Sequence, residues 1–104
     1  MAQSHFNATH PGEVIKDELI TRGIPQKDLA RCIEVPYTML NDILNERRPL
    51  SADIALRIET ALGLSANLLM GLQLDYTMQK ARNDADIRRK LVKVKPLPSP
   101  IASL

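Results

Sequence analysis

Asn41 and Thr38 are the side chains best equipped to pair with a base edge. The amide of Asn41 carries a donor and an acceptor together, the pattern that adenine displays in the major groove, and Thr38 couples a hydroxyl with a methyl that suits thymine. Asn45 follows one helical turn further on, and Tyr37 precedes the pair. Lys27, Arg47 and Arg48 add cations that could sit on flanking phosphates. A solvated helix face is built from the same common residues, so these identities gain meaning only from the elements that display them. Tyr37 fits that plainer explanation least well, because the chain has only three aromatic residues, Phe6, Tyr37 and Tyr76, and an exposed ring is no aid to solubility.

Other chemistries lack their partners. His5 and His10 lie near an aperiodic N-terminus without cysteines or carboxylates at metal-ligand spacing. Cys32 has apolar neighbours along its stretch, which favours a buried structural thiol over a nucleophile. The stretch "HPGE" offers a histidine and a glutamate, but no second base or oxyanion cradle accompanies them. No catalytic residue, cofactor site or metal site follows from the sequence.

The elements that would position the polar set can be read from apolar spacing. Val14, Ile15, Leu19 and Ile20 recur at helical intervals between Pro11 and Gly23 and predict a first helix over about 11–22. "PQKDLARCI" predicts a short second helix over about 26–33, with Leu29, Ala30 and Ile33 on one face. The chain then breaks at "EVP" and resumes as a third helix over about 37–45, turning Met39 or Leu40 inward with Ile43 and Leu44. "ERRPL" reads as a turn, since the residue before a proline is pushed out of helical geometry. Ser51 and Ser65 are N-cap candidates for helices over 52–62 and 66–82. Residues 1–9 read as a mobile terminus, and 83–104 as a basic segment with prolines at 96, 98 and 100. That segment could form an amphipathic helical turn, a strand through "LVKVK" or a tail.

Composition is consistent with this reading. The chain has 104 residues, 44% of them hydrophobic and 25% charged, which describes a single globular domain. A core of Ile, Leu, Val, Ala and Met favours helices. One cysteine cannot make an internal disulfide, and nothing reads as a signal peptide or membrane span, so the cytoplasm is expected and a membrane partner is not. The net charge of +2 is unevenly spread, because residues 76–104 hold seven Lys and Arg against two Asp and Glu. A basic tail permits nucleic-acid contact without demanding it.

Two short helices meeting at a tight turn form the helix-turn-helix pattern, in which the front of the second helix enters a major groove and the start of the first meets phosphate. Gln26, Ala30, Val35, Leu40 and Ile43 stand at the relevant spacing, with Val35, Leu40 and Ile43 expected in the core. The same helix pair also occurs as a plain structural corner.

"IPQKDLARCIEVPYTMLNDILNERRPLSADIALRIETALGLSANLLMGLQ" resembles the Cro/repressor-like five-helix domain of the XRE family. With the preceding "HPGEVIKDELITRG" and the continuation to Arg82, it resembles more narrowly the HigA-type antitoxins. This resemblance implies an all-α helix-turn-helix domain over 10–82 that binds operator DNA as a homodimer, represses its own operon and neutralises a small mRNA-cleaving toxin. It also implies that Gln26, standing where the family usually has glutamine, contacts phosphate at the start of the second helix. The apolar run "LLMGLQL" in the fifth helix is the candidate dimerisation surface. Two positions depart from the family: Glu34 where the turn usually has glycine, and Pro36 where the third helix often has a hydroxyl cap. A free-standing repressor, and a helical adaptor that uses the third helix for protein contact, are the alternatives.

Overall fold

The structure, a computed structural model, describes residues 8–98. Within them the regular elements are α1 (Pro11–Arg22), α2 (Gln26–Cys32), α3 (Tyr37–Leu44), α4 (Ala52–Leu62), α5 (Ala66–Arg82) and α6 (Ala85–Val92). The first five match the expected helices, with α2 and α3 each one residue shorter. The sixth corrects the five-helix expectation. Of the three possibilities for the C-terminal segment, a helix forms because Asp84 accepts a hydrogen bond from the Ile87 N–H, and Asp86 pairs with Arg89 and Lys90. The alternation of "LVKVK" is too short to compete. Residues 1–7 and 99–104 lie outside the described residues, so His5, Pro100 and most of the expected mobile N-terminus are among those not described.

Among the described residues, four of the six helices carry a side-chain cap at their start. Ser51 and Ser65 cap α4 and α5, accepting from the Ile54 and Leu68 N–H groups. His10 caps α1 in an unexpected way: its Nδ1 accepts from the Gly12 N–H at 2.9 Å, and its ring stands edge-on to Tyr76 with centroids 4.7 Å apart. The histidine is buried, so it belongs to the folded unit rather than to a loose terminus.

One core joins the first five helices. Ile15 and Leu19 of α1, Leu29 and Ala30 of α2, Leu40, Ile43 and Leu44 of α3, Ile54, Ala55, Ile58 and Leu62 of α4, and Ala66 and Leu69 of α5 are all buried in it. Val35, expected inside, is half-buried against its edge. Helices α1 and α3 come close at Gly12, where an added Cβ would lie 2.0 Å from the Ile43 carbonyl oxygen. A residue without a side chain is therefore what lets α1 seat against the end of α3. Cys32 departs from expectation: it is exposed, because α2 turns Leu29 and Ala30 inward and leaves the residue at 32 on its outer side.

Candidate nucleic-acid interface

The candidate site is built on the α2–α3 corner. Helix α2 ends with two backbone bonds, Val35 N–H to Ala30 O and Glu34 N–H to Arg31 O, with Glu34 left-handed at φ 59°. That is the Schellman ending, which glycine most readily adopts and which Gly23 adopts at the end of α1. A side chain in this conformation costs about 1 kcal/mol relative to glycine. Pro36 then starts α3 with extended geometry and no side-chain cap, while its carbonyl accepts from Leu40 N–H. The sequence departures at 34 and 36 thus leave the corner intact. The end of α3 repeats the device: Glu46 is left-handed at φ 63°, and the Arg47 N–H returns to the Asp42 carbonyl at 2.8 Å.

This second left-handed turn brings Arg47 back over the face of α3. Its guanidinium pairs with Asp42 at 3.1 Å and donates to Asn41 Oδ1 at 3.0 Å. Asn41 in turn donates through Nδ2 to Gln26 Oε1 at 2.9 Å, so a side chain from α2 and one from the loop hold the same amide. The Asn41 carbonyl accepts from Asn45 Nδ2, and Asn45 Oδ1 accepts from Lys16 Nζ of α1 at 3.1 Å. Four of the eight sequence-derived site residues, Gln26, Asn41, Asn45 and Arg47, therefore share one network. A primary amide has two N–H groups and two carbonyl lone pairs, so Asn41 keeps one of each free for an external partner after both internal bonds are made.

Tyr37, Thr38, Lys27 and Arg48 do not join the network. Tyr37 is 49% exposed and lines a shallow depression with Pro25, Gln26 and Lys27. Thr38 is exposed beside it. Among the described residues, Lys27 and Arg48 enter no ion pair, which leaves their charges available to an external anion. Arg48 also borders a cleft of about 340 Å³ with His10, Gln73, Tyr76 and Lys80. Burial lowers the pKa of His10 below its usual 6.5, against the opposing pull of Glu46 and of a hydrogen bond to the Arg48 backbone. Neutral His10 is what its capping role requires, since Nδ1 must accept.

Sequence reading missed three supporting residues. Lys16 reaches the network from α1, Asp42 anchors Arg47, and Arg57 of α4 donates to the carbonyls of the α2–α3 turn. Only Asp42 and Arg47 carried a local signal, as opposite charges across a turn; the other contacts span 29 and 24 residues.

A family model for the helix-turn-helix matches residues 15–69, from mid-α1 into α5. This chain belongs to the helix-turn-helix family. As a member, it is 32% identical over 83 residues to virulence-associated protein I of Dichelobacter nodosus, spanning 79% of this chain and 77% of that protein. Its fold superposes on Pseudomonas aeruginosa antitoxin HigA, solved with the higBA promoter, at a TM-score of 0.76 and 34% identity, covering 88% of this chain and all of that one. Antitoxin GraA in complex with its operator superposes at 0.77 with 27% identity, covering 95% and 100%. The resemblance to HigA-type antitoxins of the XRE family therefore holds. This is a family of DNA-binding regulators and not of enzymes. Among the described residues, no helix is long and apolar enough to cross a membrane.

Proposed function

We propose that this helix-turn-helix protein is the antitoxin of a type II toxin-antitoxin pair, which represses its own operon as a dimer and neutralises an mRNA-cleaving toxin. Residues 10–82 form the DNA-binding unit, and 83–104 a basic segment appended to it. Helix α3 enters the major groove. Asn41 pairs with a base edge, Thr38 and Tyr37 contact bases beside it, and Asn45 extends the face by one turn. Gln26 stands at the N-terminus of α2, where the helix dipole favours phosphate, and Lys27, Arg47 and Arg48 supply positive charge around the groove.

The observation that carries this reading is the Asn41 amide, fixed in orientation by Gln26 and Arg47 on the outward side of the corner. An adaptor surface has no need for a side-chain amide held at both ends. Two-fold operators call for paired readers, and α5 has the apolar surface for it: Leu68 and Leu74 are 62% and 61% exposed although their neighbour Leu69 is buried. The toxin partner is supported by the likeness to HigA and GraA along nearly the whole length of those chains.

Two measurements test the proposal. The purified protein should shift a duplex from the region upstream of its own gene at concentrations that leave a scrambled duplex free. Co-expression should rescue growth of cells expressing the neighbouring small reading frame. Operator binding without any toxic neighbour would leave a free-standing repressor, and no preference for the upstream duplex would leave the adaptor.

A further inference from the structure

We propose that Arg57 is a positioning residue for operator reading: it grips the α2–α3 turn from α4 and so holds a turn that carries glutamate, and not glycine, in the left-handed conformation. The inference rests on the reading of α3 as the base-reading helix and adds a determinant outside the helix pair.

The Schellman ending of α2 uses the carbonyls of Ala30 and Arg31 and leaves those of Ile33 and Glu34 without a helical partner. Arg57 Nη1 donates to both, at 2.9 Å to Ile33 O and 3.3 Å to Glu34 O. The rest of the guanidinium is anchored one turn back on α4, where Nε and Nη2 meet the two carboxylate oxygens of Asp53 at 2.9 and 3.3 Å. A planar group with five fixed donors can serve a carboxylate on one edge and two carbonyls on another, which an ammonium cannot do in one geometry. The carbonyls it holds flank φ of Glu34, the torsion that sets how α3 leaves α2. That angle also sets whether Asn41 meets Gln26 across the corner. The end of α1 makes the same pair of backbone bonds on Gly23, where no side chain opposes the left-handed turn. At this turn the clamp stands where glycine is lacking, whereas at Glu46, the other left-handed glutamate, the Arg47 N–H returns to the Asp42 carbonyl and no arginine from another helix is needed.

The test compares binding to a duplex from the chain's own upstream region with binding to a random duplex of equal length. Arg57→Ala should lower the ratio of the two affinities about tenfold, within the range of a misplaced base contact, while random-duplex affinity moves less than about twofold. Glu34→Gly added to Arg57→Ala should bring the ratio back to within about threefold of the starting protein. Glu34→Gln removes the same charge but keeps a side chain at the left-handed position, and should not rescue. Asp53→Ala, which removes only the anchor, should give a smaller loss of the same kind. An unchanged ratio in Arg57→Ala, equal losses on both duplexes, or equal rescue by glutamine and glycine would each overturn the clamp. Hydrogen exchange of the free protein gives a reading without DNA. In Arg57→Ala the amides of Glu34 and Val35 should exchange about tenfold faster or more, with those of Ile58 and Leu69 unchanged. Unchanged turn exchange overturns the clamp. A chain with no preference for its upstream duplex would overturn the role of α3, while exchange still decides whether Arg57 holds the turn.

Discussion

Asn41 Nδ2 donates to Gln26 Oε1 across 2.9 Å, linking the middle of α3 to the first residue of α2. The bond makes Gln26 a support for Asn41, the residue proposed to read a base, as well as a candidate phosphate contact. Asn41→Ala should weaken operator binding by about 1–3 kcal/mol and leave random-duplex binding largely unchanged. Gln26→Ala should cost affinity in the native background and much less once Asn41 is alanine, because its support then has nothing to orient. Fluorescence anisotropy on the four proteins of this cycle measures the coupling. Equal effects of Gln26→Ala in both backgrounds would reduce Gln26 to a phosphate contact.

The helices were legible because their signals are local: Pro11 and Gly23 bracket α1, and Ser51 and Ser65 announce α4 and α5. The outward residues of α3 followed from its apolar back, since Leu40, Ile43 and Leu44 are buried as their spacing required. What the sequence hid depends on long-range closure. Lys16 touches Asn45 only because Gly12 lets α1 lie against the end of α3, and Arg57 reaches the turn only because the fold brings α4 back to the end of α2. His10 was hidden differently: it is buried with its ring against Tyr76, far along the chain. Cys32 misled because apolar sequence neighbours say little about side on a helix of two turns.

Gly12→Ala tests the close seat of α1. The new methyl would lie 2.0 Å from Ile43 O, 2.9 Å from its carbonyl carbon and 3.0 Å from Leu44 Cα, all backbone atoms that cannot swing aside. The helix must lift away, at a cost of about 1–3 kcal/mol by analogy with overpacked cores. For a domain of this size each kcal/mol lowers Tm by about 4–8 °C. Gly71→Ala is the matched control, because within the protomer nothing lies within 4 Å of its added Cβ and alanine is the better helix former. Since Gly71 lies in the run proposed for dimerisation, both melts are taken at a protein concentration where the chain is monomeric. Thermal melts should move in opposite directions, and a Gly12→Ala melt as stable as the native one would refute the tight approach.

His10 should make stability sensitive to mild acid. Its pKa in the fold is lowered from 6.5, chiefly by burial, so the unfolded chain binds the proton first as pH falls. The stabilisation from neutral His10 is complete above about pH 6.5 and is lost as pH falls through the lower folded value. Protonation would also end acceptance by Nδ1 from Gly12 N–H, loosening the start of α1. Tm measured from pH 7.5 to 5 should fall more steeply in the native chain than in His10→Asn, which keeps a capping acceptor that does not titrate. Parallel curves would remove His10 from the acid response.

Arg47 and Arg48 are adjacent in sequence but differ in their bonds, and salt dependence should separate them. Lys27 and Arg48 enter no ion pair among the described residues, so each can neutralise a phosphate and release its counterion. Removing either should lower the slope of log affinity against log salt by about 0.9, equally on operator and random duplex. Arg47 is already held by Asp42 and Asn41, so under the proposed DNA reading its main contribution would be the orientation of the Asn41 amide. Arg47→Ala should therefore reduce the operator-to-random ratio with little change in slope. The measurement is a salt titration of both duplexes from about 50 to 200 mM, where phosphate contacts dominate the change. A drop of about 0.9 in slope for Arg47→Ala, with the ratio intact, would mean that DNA draws the guanidinium away from Asn41 and onto the backbone.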